Sequence, residues 1–572
     1  MSSLKIKSLV PIDWNAVFQA VDRFDDVCVV RLPPTPNTNT SSMSIVGLEL
    51  IIADITIKIA PTATLIFVGE ISDLMLLEAS RPAALRFHHW IVIKRSKIKI
   101  NGTTSLPNQH FGAVIYTRYD SPLIHVPTRI PHSICPSCDN TSRDYGGKTQ
   151  NTSSFGPLIS DVWKDISCDL EGDIIPVIQR FSSFFAIKQY SELLYLDCRS
   201  VKVTRESPPL REHNPNVQEL PKKFLNKIVD GDASEVLAKL PDNSIDFVFC
   251  DPPYNLKKSY LGCRDDLDTK DYFAWCDRWL QQLARVLKPG HTCAVLNLPH
   301  LVVRHFVSLQ SNLRFQNWIA WDALAFPVRK IMPAHYSVLC LSKGTPRDLP
   351  GVQLQTANVV PTAPQQFRPF EALSDAYCIR PPCIATRARC GNPGYSPVTD
   401  LWTDIHRVRH NNRRVDHPCQ MPPHFLYRLL MLFTHERECI LDCFNGAGTT
   451  TLAAHQVNRK FIGIDASKTY CKITRKRHNE IERGLDPFRK MNRVPKVKNS
   501  PGPRIPVRQY KVPKKELQLD VRRVASILGR IPDAAEVGKL GKYALKYYTT
   551  YFPTWSQACA AARAAGFKKQ TM

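Results

Sequence analysis

A chain of 572 residues exceeds what one hydrophobic core organises, and domains of about 100 to 200 residues each divide it into about three units. With 43% hydrophobic and 22% charged residues it can bury enough apolar surface to fold, which excludes global disorder. Lysine and arginine outnumber aspartate and glutamate by 76 to 51; the net charge of +25 favours a polyanionic partner without distinguishing DNA, RNA or an anionic membrane surface.

No stretch of about 18 uncharged apolar residues occurs, and Met1-Ser-Ser-Leu-Lys-Ile-Lys lacks the apolar core of a signal peptide. The chain is therefore expected to be soluble and intracellular, without a membrane partner. Eighteen cysteines in that setting read as small buried hydrophobes rather than disulfides. Cys135-Pro-Ser-Cys138 has half of a zinc-ribbon spacing, with no second close pair after it, and Cys378, Cys383 and Cys390 form a loose group. Tetrahedral zinc needs four ligands, so no metal is assigned.

Along the chain, residues 1–206 precede a linker rich in Pro and charge, 207–223. A second unit, 224–488, ends where Pro, Lys and Arg replace periodic apolar residues in a basic linker, 489–516, and a short helical unit fills 517–572. The first two units share a faint repeat in the same order. Asp26-Val-Cys-Val-Val-Arg-Leu32-Pro-Pro-Thr35 resembles Asp246-Phe-Val-Phe-Cys-Asp251-Pro-Pro-Tyr254, and Pro61-Thr-Ala-Thr64 and His88-His-Trp90-Ile match Pro289-Gly-His-Thr292 and Gln316-Asn-Trp318-Ile at identical spacing. Pro107-Asn-Gln-His110 echoes Met332-Pro-Ala-His335, and Ser160-Asp-Val-Trp163-Lys-Asp-Ile echoes Thr399-Asp-Leu-Trp402-Thr-Asp-Ile. Duplication explains the shared order better than chance.

In the second unit, Asn243-Ser-Ile-Asp-Phe-Val-Phe-Cys250 fits a buried parallel strand that ends in Asp251-Pro252-Pro253-Tyr254. Ligands of open α/β sheets bind at that edge, and two successive prolines stiffen the loop that projects an acid and an aromatic ring. A carboxylate can accept hydrogen bonds from an exocyclic amino group while the ring stacks on the base. Further on, Glu438-Cys-Ile-Leu-Asp442-Cys-Phe444-Asn-Gly446-Ala-Gly448-Thr, a helical stretch and Lys460-Phe-Ile-Gly-Ile-Asp465 read as strand, glycine loop, helix, strand and acid. Glycines let backbone approach a ligand closely, and an acid ending the next strand can bind ribose hydroxyls. The glycine spacing departs from the dinucleotide fingerprint, which disfavours a nicotinamide cofactor.

Together the two loops resemble the S-adenosylmethionine-dependent amino-group DNA methyltransferases acting on adenine N6 or cytosine N4. The catalytic loop precedes the cofactor loop, as in their permuted beta arrangement. The resemblance covers 224–482. It implies a Rossmann-like α/β fold, catalytic Asp251, Pro252, Pro253 and Tyr254, and an S-adenosylmethionine site of Asp232, Asp442, Phe444, Gly446, Gly448 and Asp465. It also implies duplex DNA as partner, and it allows for a cognate restriction endonuclease. His417-Pro-Cys419-Gln420-Met421-Pro resembles the family's His-Pro-Thr-Gln-Lys-Pro segment with Cys for Thr and Met for Lys, so a modified cofactor wall is expected. Aspartate at the first loop position favours adenine N6, with cytosine N4 the alternative. A catalytically silent DNA-binding regulator is the rival from another class.

Target recognition is expected in 329–414, where Arg387-Ala-Arg389 and the arginines from Arg407 to Arg414 offer guanidinium groups for phosphates and guanine edges. The first unit has Leu32 for the acid and Thr35 for the aromatic ring, and no Phe-x-Gly-x-Gly loop follows Trp163. It is therefore expected to be a degenerate, non-catalytic methyltransferase-like half that replaces the second subunit of a dimer. From Cys471 to Lys515 there are 15 Lys or Arg against 3 acids, an electrostatic clamp for a duplex or a nuclear-import signal. Residues 517–572 resemble the small helical repeat attached to some homing endonucleases, which implies DNA binding; a bare three-helix unit with Phe552 and Trp555 in its core is the other reading.

Overall fold

The computed structural model describes residues 5–11, 16–17, 26–33, 46–119, 121–130, 133–138, 157–185, 192–199, 216–258, 264–323, 331, 334–357, 363–364, 367–374, 378, 380–391, 394–408, 420–489, 512, 514–552 and 554–562. Thr35, Arg329, Arg409, Arg413, Arg414, Cys419 and most of the basic linker lie outside them. No helix among the described residues is long and apolar enough to cross a membrane.

Two large sheets dominate. The first contains β1 (Lys5–Leu9), β2 (Val27–Arg31), β3 (Thr64–Gly69), β4 (Leu85–Lys99), β5 (Asn108–Arg118), β6 (Val162–Cys168) and β7 (Glu192–Asp197). The second contains β8 (Lys227–Asp230), β9 (Ile245–Cys250), β10 (Leu287–Asn297), β11 (Arg314–Asp322) and β12 (His335–Ser342). After a small ribbon of β13 (Glu371–Leu373) and β14 (Tyr395–Pro397), that second sheet is completed by β15 (Leu401–Trp402), β16 (Cys439–Asp442) and β17 (Lys460–Asp465). The central strands β2, β3, β9 and β16 are mostly Val, Ile, Leu, Phe and Cys, as expected of strands covered on both faces.

The sheets share a plan. The first runs β6-β4-β5-β3-β2-β7-β1 and the second β15-β11-β12-β10-β9-β16-β17-β8. In both, the third strand, β5 or β12, is antiparallel to its two neighbours, and the other pairs are parallel. The difference lies at one edge: β1 precedes β2 in the chain whereas β17 follows β16, and among the described residues no strand of the first sheet corresponds to β8.

The halves meet through contacts that recur when they are exchanged. The rings of Trp90 and Trp318 stack with centroids 4.9 Å apart and planes at 13°. Asp161 Oδ1 accepts from the Ala334 amide at 2.8 Å, and Asp400 Oδ1 accepts from the Gln109 amide at 2.8 Å. His335 Nδ1 lies 3.0 Å from Asp161 Oδ2, and His110 Nε2 lies 3.7 Å from Asp400 Oδ2. The Asp161 carbonyl accepts from Val92 and the Asp400 carbonyl from Ala320. The helices Ile71–Ala79 and Pro299–Leu309 also pack on each other. Self-complementary contacts of this kind are those of a two-fold interface, here within one polypeptide. One buried apolar cluster contains Leu74 and Trp90 of the first half with Trp279, Leu301 and Trp318 of the second.

Among the described residues the C-terminal unit has four helices, not three: Lys514–Leu528, Ala534–Leu540, Leu545–Tyr551 and Trp555–Ala561. Leu517, Val521, Val524, Val537, Tyr548 and Phe552 form its own core. Trp555 packs at the edge of that core, donating through Nε1 to the Pro532 carbonyl at 2.8 Å.

Candidate active site

β9 and β16 are parallel neighbours, so the segments that follow them emerge at the same sheet edge. Asp251-Pro-Pro-Tyr254 leaves β9 and Cys443-Phe-Asn-Gly-Ala-Gly448 leaves β16, and Cys250 Sγ and Cys443 Sγ are 3.0 Å apart where the strands end. The loops, nearly 190 residues apart in sequence, are thus joined at their roots.

Tyr254 Oη donates to Asp251 Oδ1 at 2.6 Å. Burial pushes the Asp251 carboxyl up to about 6, although this bond and the cations Lys258 and Arg407 act the other way. The Tyr254 ring lies 5.8 Å from that of Tyr336, and Lys258 Nζ sits 5.7 Å from the Tyr254 ring centroid. Tyr336 in turn contacts Trp321 and carries the Arg407 guanidinium 4.5 Å over its ring. The Pro253 carbonyl accepts from Tyr272 Oη at 2.8 Å, which ties the proline loop to the helix Thr269–Val286. Beyond Tyr254 the backbone enters the left-handed region at Asn255 and Lys257, and buried Asp265 holds it there, accepting from the amides of Asn255, Leu256 and Lys258 at 2.7, 3.1 and 2.8 Å.

On the other strand, Asp442 Oδ1 accepts from the Phe444 amide at 3.0 Å. Burial pushes the Asp442 carboxyl up to about 7, and the neighbouring carboxylates Asp251 and Asp465 push the same way. Asp465 ends β17 and accepts from the amides of Gly446 at 2.7 Å and Ser467 at 2.8 Å; burial raises its pKa, with Asp230 adding to the shift. Asp465 thus shapes the glycine loop as well as facing the edge. Gly448, at φ 85°, begins the helix Thr449–Gln456, and a Cβ there would lie 2.4 Å from Thr474 Cγ2. Phe444 packs edge-on against Trp279 at 5.0 Å and near Trp275 at 5.5 Å. Asp232 is exposed at the rim, two residues past β8, and its carboxylate caps the helix Ala233–Leu237 through the Ser234 and Glu235 amides.

The structure therefore gathers Asp251, Pro252, Pro253, Tyr254, Asp442, Phe444, Gly446, Gly448 and Asp465 at one edge, with Asp232 beside it. It adds Asp265, Tyr272 and Tyr336, which no contiguous motif marks, and it brings Arg407 of the predicted arginine cluster over the Tyr336 ring. Arg387 is not offered to a nucleic acid: it is 4% exposed and its Nη1 is committed to the Cys378 carbonyl and Cys383 Sγ, while Arg389 closes the same helix, Pro381–Arg389. In the first half, the Pro-Pro alignment sets Leu32 against Asp251, but with Thr64 matched to Thr292 the ladders set Val27 against Phe247 and so Arg31 against Asp251; Leu32, one residue on, is buried and packs against Gly69. Leu196-Asp-Cys198 repeats Leu441-Asp-Cys443 in sequence, but the ladders set Leu193 against Ile440 and so Tyr195 against Asp442, with Asp197 two residues further along the same edge. Burial would raise Asp197, but Arg199 and Arg31 hold it below the ordinary carboxylate range.

Residues 245–476 match the DNA methylase family of N6/N4 methyltransferases, and 512–567 match the homing endonuclease associated repeat. The chain is 29% identical over 279 residues to type II methyltransferase M.BamHI of Bacillus amyloliquefaciens, covering 48% of this chain and 62% of that protein, less than two thirds of its length. It is 27% identical over 280 residues to type II methyltransferase M.HpaI of Haemophilus parainfluenzae, covering 48% and 81%. Among solved structures it is similar to a DNA modification methylase from Thermus thermophilus complexed with S-adenosyl-L-methionine, with 21% identity, a TM-score of 0.32, and coverage of 46% of this chain and 98% of that one. The matched motifs and the relatives that share them support an amino-methyltransferase of the N6-adenine/N4-cytosine family in the segment 245–476.

Proposed function

We propose that the chain is a site-specific DNA methyltransferase that transfers a methyl group from S-adenosylmethionine to the N6 amino group of an adenine flipped out of duplex DNA. The observation that carries this reading is the meeting of Asp251 and Tyr254 with Asp442 and Asp465 at the junction of β9 and β16. The residues fit the cofactor. Asp442 and Asp465 both titrate above the ordinary carboxylate range, and a cationic, diol-bearing ligand favours their ionised forms. Asp232, Asp442, Phe444, Gly446, Gly448 and Asp465 would hold it. When bound, S-adenosylmethionine supplies an electrophilic methyl group on a sulfonium.

The protein's own residues position the acceptor. Flipping costs a few kcal/mol, offset by stacking of the base on Tyr254 in the aromatic group that includes Tyr336 and Trp321. Ionised Asp251 accepts a hydrogen bond from the exocyclic amine, which fixes its orientation and raises electron density on nitrogen. Proximity and alignment then supply most of the acceleration. Aspartate at position 251 supports adenine over cytosine. Arg407, at the site, and the basic flanks hold phosphates.

The first half serves as a non-catalytic counterpart, an internal pseudo-dimer partner produced by duplication. The shared strand order and the exchangeable contacts at Trp90/Trp318 and Asp161/Asp400 support this. Arg31, paired with Asp197, takes the place of the acceptor-binding acid, and Asp197 is further neutralised by Arg199.

Expression in a bacterium lacking DNA methylation, followed by nucleoside mass spectrometry, tests the reading. N6-methyladenine is expected. N4-methylcytosine would transfer the assignment to the other base, and unmodified DNA from a protein that binds both DNA and cofactor would make it a silent regulator.

A further inference from the structure

The four cysteines Cys135, Cys138, Cys378 and Cys383 converge from segments more than two hundred residues apart, and their sulfurs all lie within 4.8 Å of one another. We propose that they form a structural zinc site that clamps the first half of the chain to the segment between β12 and β15 of the second. This goes beyond the methyl-transfer reading and does not depend on it.

The distances fit the ion. Cys135 Sγ and Cys383 Sγ are 3.7 Å apart, and Cys138 Sγ and Cys378 Sγ are 3.6 Å apart. Four thiolates about 2.3 Å from a tetrahedral zinc are about 3.8 Å from each other, whereas a disulfide brings its sulfurs to about 2.05 Å. Burial also fits: Cys135 and Cys378 are fully buried, Cys383 is 7% exposed and Cys138 is partly covered. A closed four-cysteine shell leaves no open position for substrate, as in structural rather than catalytic sites.

Hydrophobic packing does not account for the cluster. Among the described residues no aliphatic or aromatic side chain belongs to it; it is a core of four sulfurs. Its surroundings are those of a thiolate centre. Four thiolates and Zn²⁺ carry a net charge of about −2, since metal-bound cysteine is deprotonated. Arg387, itself buried, places Nη1 3.0 Å from Cys383 Sγ, and Lys515 of the C-terminal helix lies within electrostatic reach of Cys138 and Cys378.

The arrangement follows the internal symmetry. Cys135 and Cys138 lie between β5 and β6, and Cys378 and Cys383 lie between β12 and β15, the corresponding interval of the other sheet. Exchanging the halves maps the pair Cys135–Cys383 onto Cys378–Cys138, so the site obeys the same two-fold relation as the Trp90–Trp318 stack. Cys390, exposed, is outside the shell. Among the described residues a second convergence of metal-binding groups, Asp246, His291 and Glu438, is an ion-pair network already answered by Lys288 and Arg347.

The test is elemental analysis of the full chain purified without chelators. About one zinc per chain is expected, released by a mercurial titrant as about four thiols are consumed. Cys138→Ser with Cys383→Ser should lose at least nine tenths of the zinc while Cys390→Ser retains it. Cobalt added to the zinc-free chain should give the intense visible bands of a tetrahedral thiolate site. Cys138→His keeps a ligand and should keep the metal, which separates loss of coordination from loss of folding. A wild-type chain with less than a tenth of an equivalent of zinc overturns the proposal, as do Cys135–Cys383 and Cys138–Cys378 disulfides in non-reducing peptide maps, or equal zinc in the double variant.

Discussion

In an unfolded chain the Asp251 carboxyl ionises at about pH 3.9, whereas burial at the end of β9 moves it up to about 6. The folded protein therefore binds more protons than the unfolded one between those values, and stability falls as pH rises through that window. Asp442, pushed up to about 7, extends the same penalty toward neutrality. Asp251→Asn removes an ionisation that the fold resists. Thermal unfolding at pH 8 should show the variant more stable by about 1–3 kcal/mol, with the gain vanishing at pH 4. Methylation should drop by about 10²- to 10⁴-fold in kcat, because the neutral amide cannot polarise the amine as a carboxylate does. Cofactor affinity, read by equilibrium dialysis, should stay within about threefold, since the variant leaves the β16 loop intact. In the wild type, kcat should rise with pH through about 6 as Asp251 ionises. A flat profile between pH 5 and 8 would remove Asp251 from the acceptor's side of the chemistry.

At the scale of the element, both loops owe their shapes to side chains outside their own motifs. Asp265→Ala strips the acceptor from three amides in the left-handed turn after Tyr254, and unsatisfied buried donors cost about 1–3 kcal/mol. The expected readout is a weakened grip on DNA, with KM raised more than kcat is lowered and cofactor affinity retained. Gly448→Ala forces a side chain into a left-handed φ of 85° and onto Thr474, so it should lower stability by about 1–3 kcal/mol and weaken cofactor binding; Gly448→Ala with Thr474→Ser should recover part of both. These two glycine and proline loops are legible in sequence because each is contiguous and its residue types follow from backbone geometry. Asp265 and Tyr336 are not, because their roles exist only where the segment before the helix Thr269–Val286 and the strand β12 meet the proline loop; Arg407 is legible as one of a basic cluster, but its place over Tyr336 is not. The C-terminal helix boundaries are legible in the same way as the loops, since Gly529, Pro532, Gly541 and Pro553 fall between the helices.

Across the whole molecule, the repeat was legible where aromatic and acidic residues kept their order, at Trp90 and Trp318 or Asp161 and Asp400, since such residues are few enough to stand out. What it meant spatially was not, because sequence order does not say that equivalent residues touch. A double-mutant cycle on Trp90→Phe and Trp318→Phe should return a coupling of about 0.5–1.5 kcal/mol in chemical denaturation, the value for a stacked aromatic pair. Independent additive losses would mean that the halves are not joined there. The same joint bears on how the polypeptide is made. Ribosomes add about 5–20 residues per second, so Trp90, His110 and Asp161 emerge on the order of ten seconds to a minute before Trp318, His335 and Asp400 exist to meet them. For that interval the nascent first half displays an indole and polar groups matched only to a surface not yet translated, and neighbouring chains on one polysome display the same face, which makes this seam the point where cotranslational misassembly would begin.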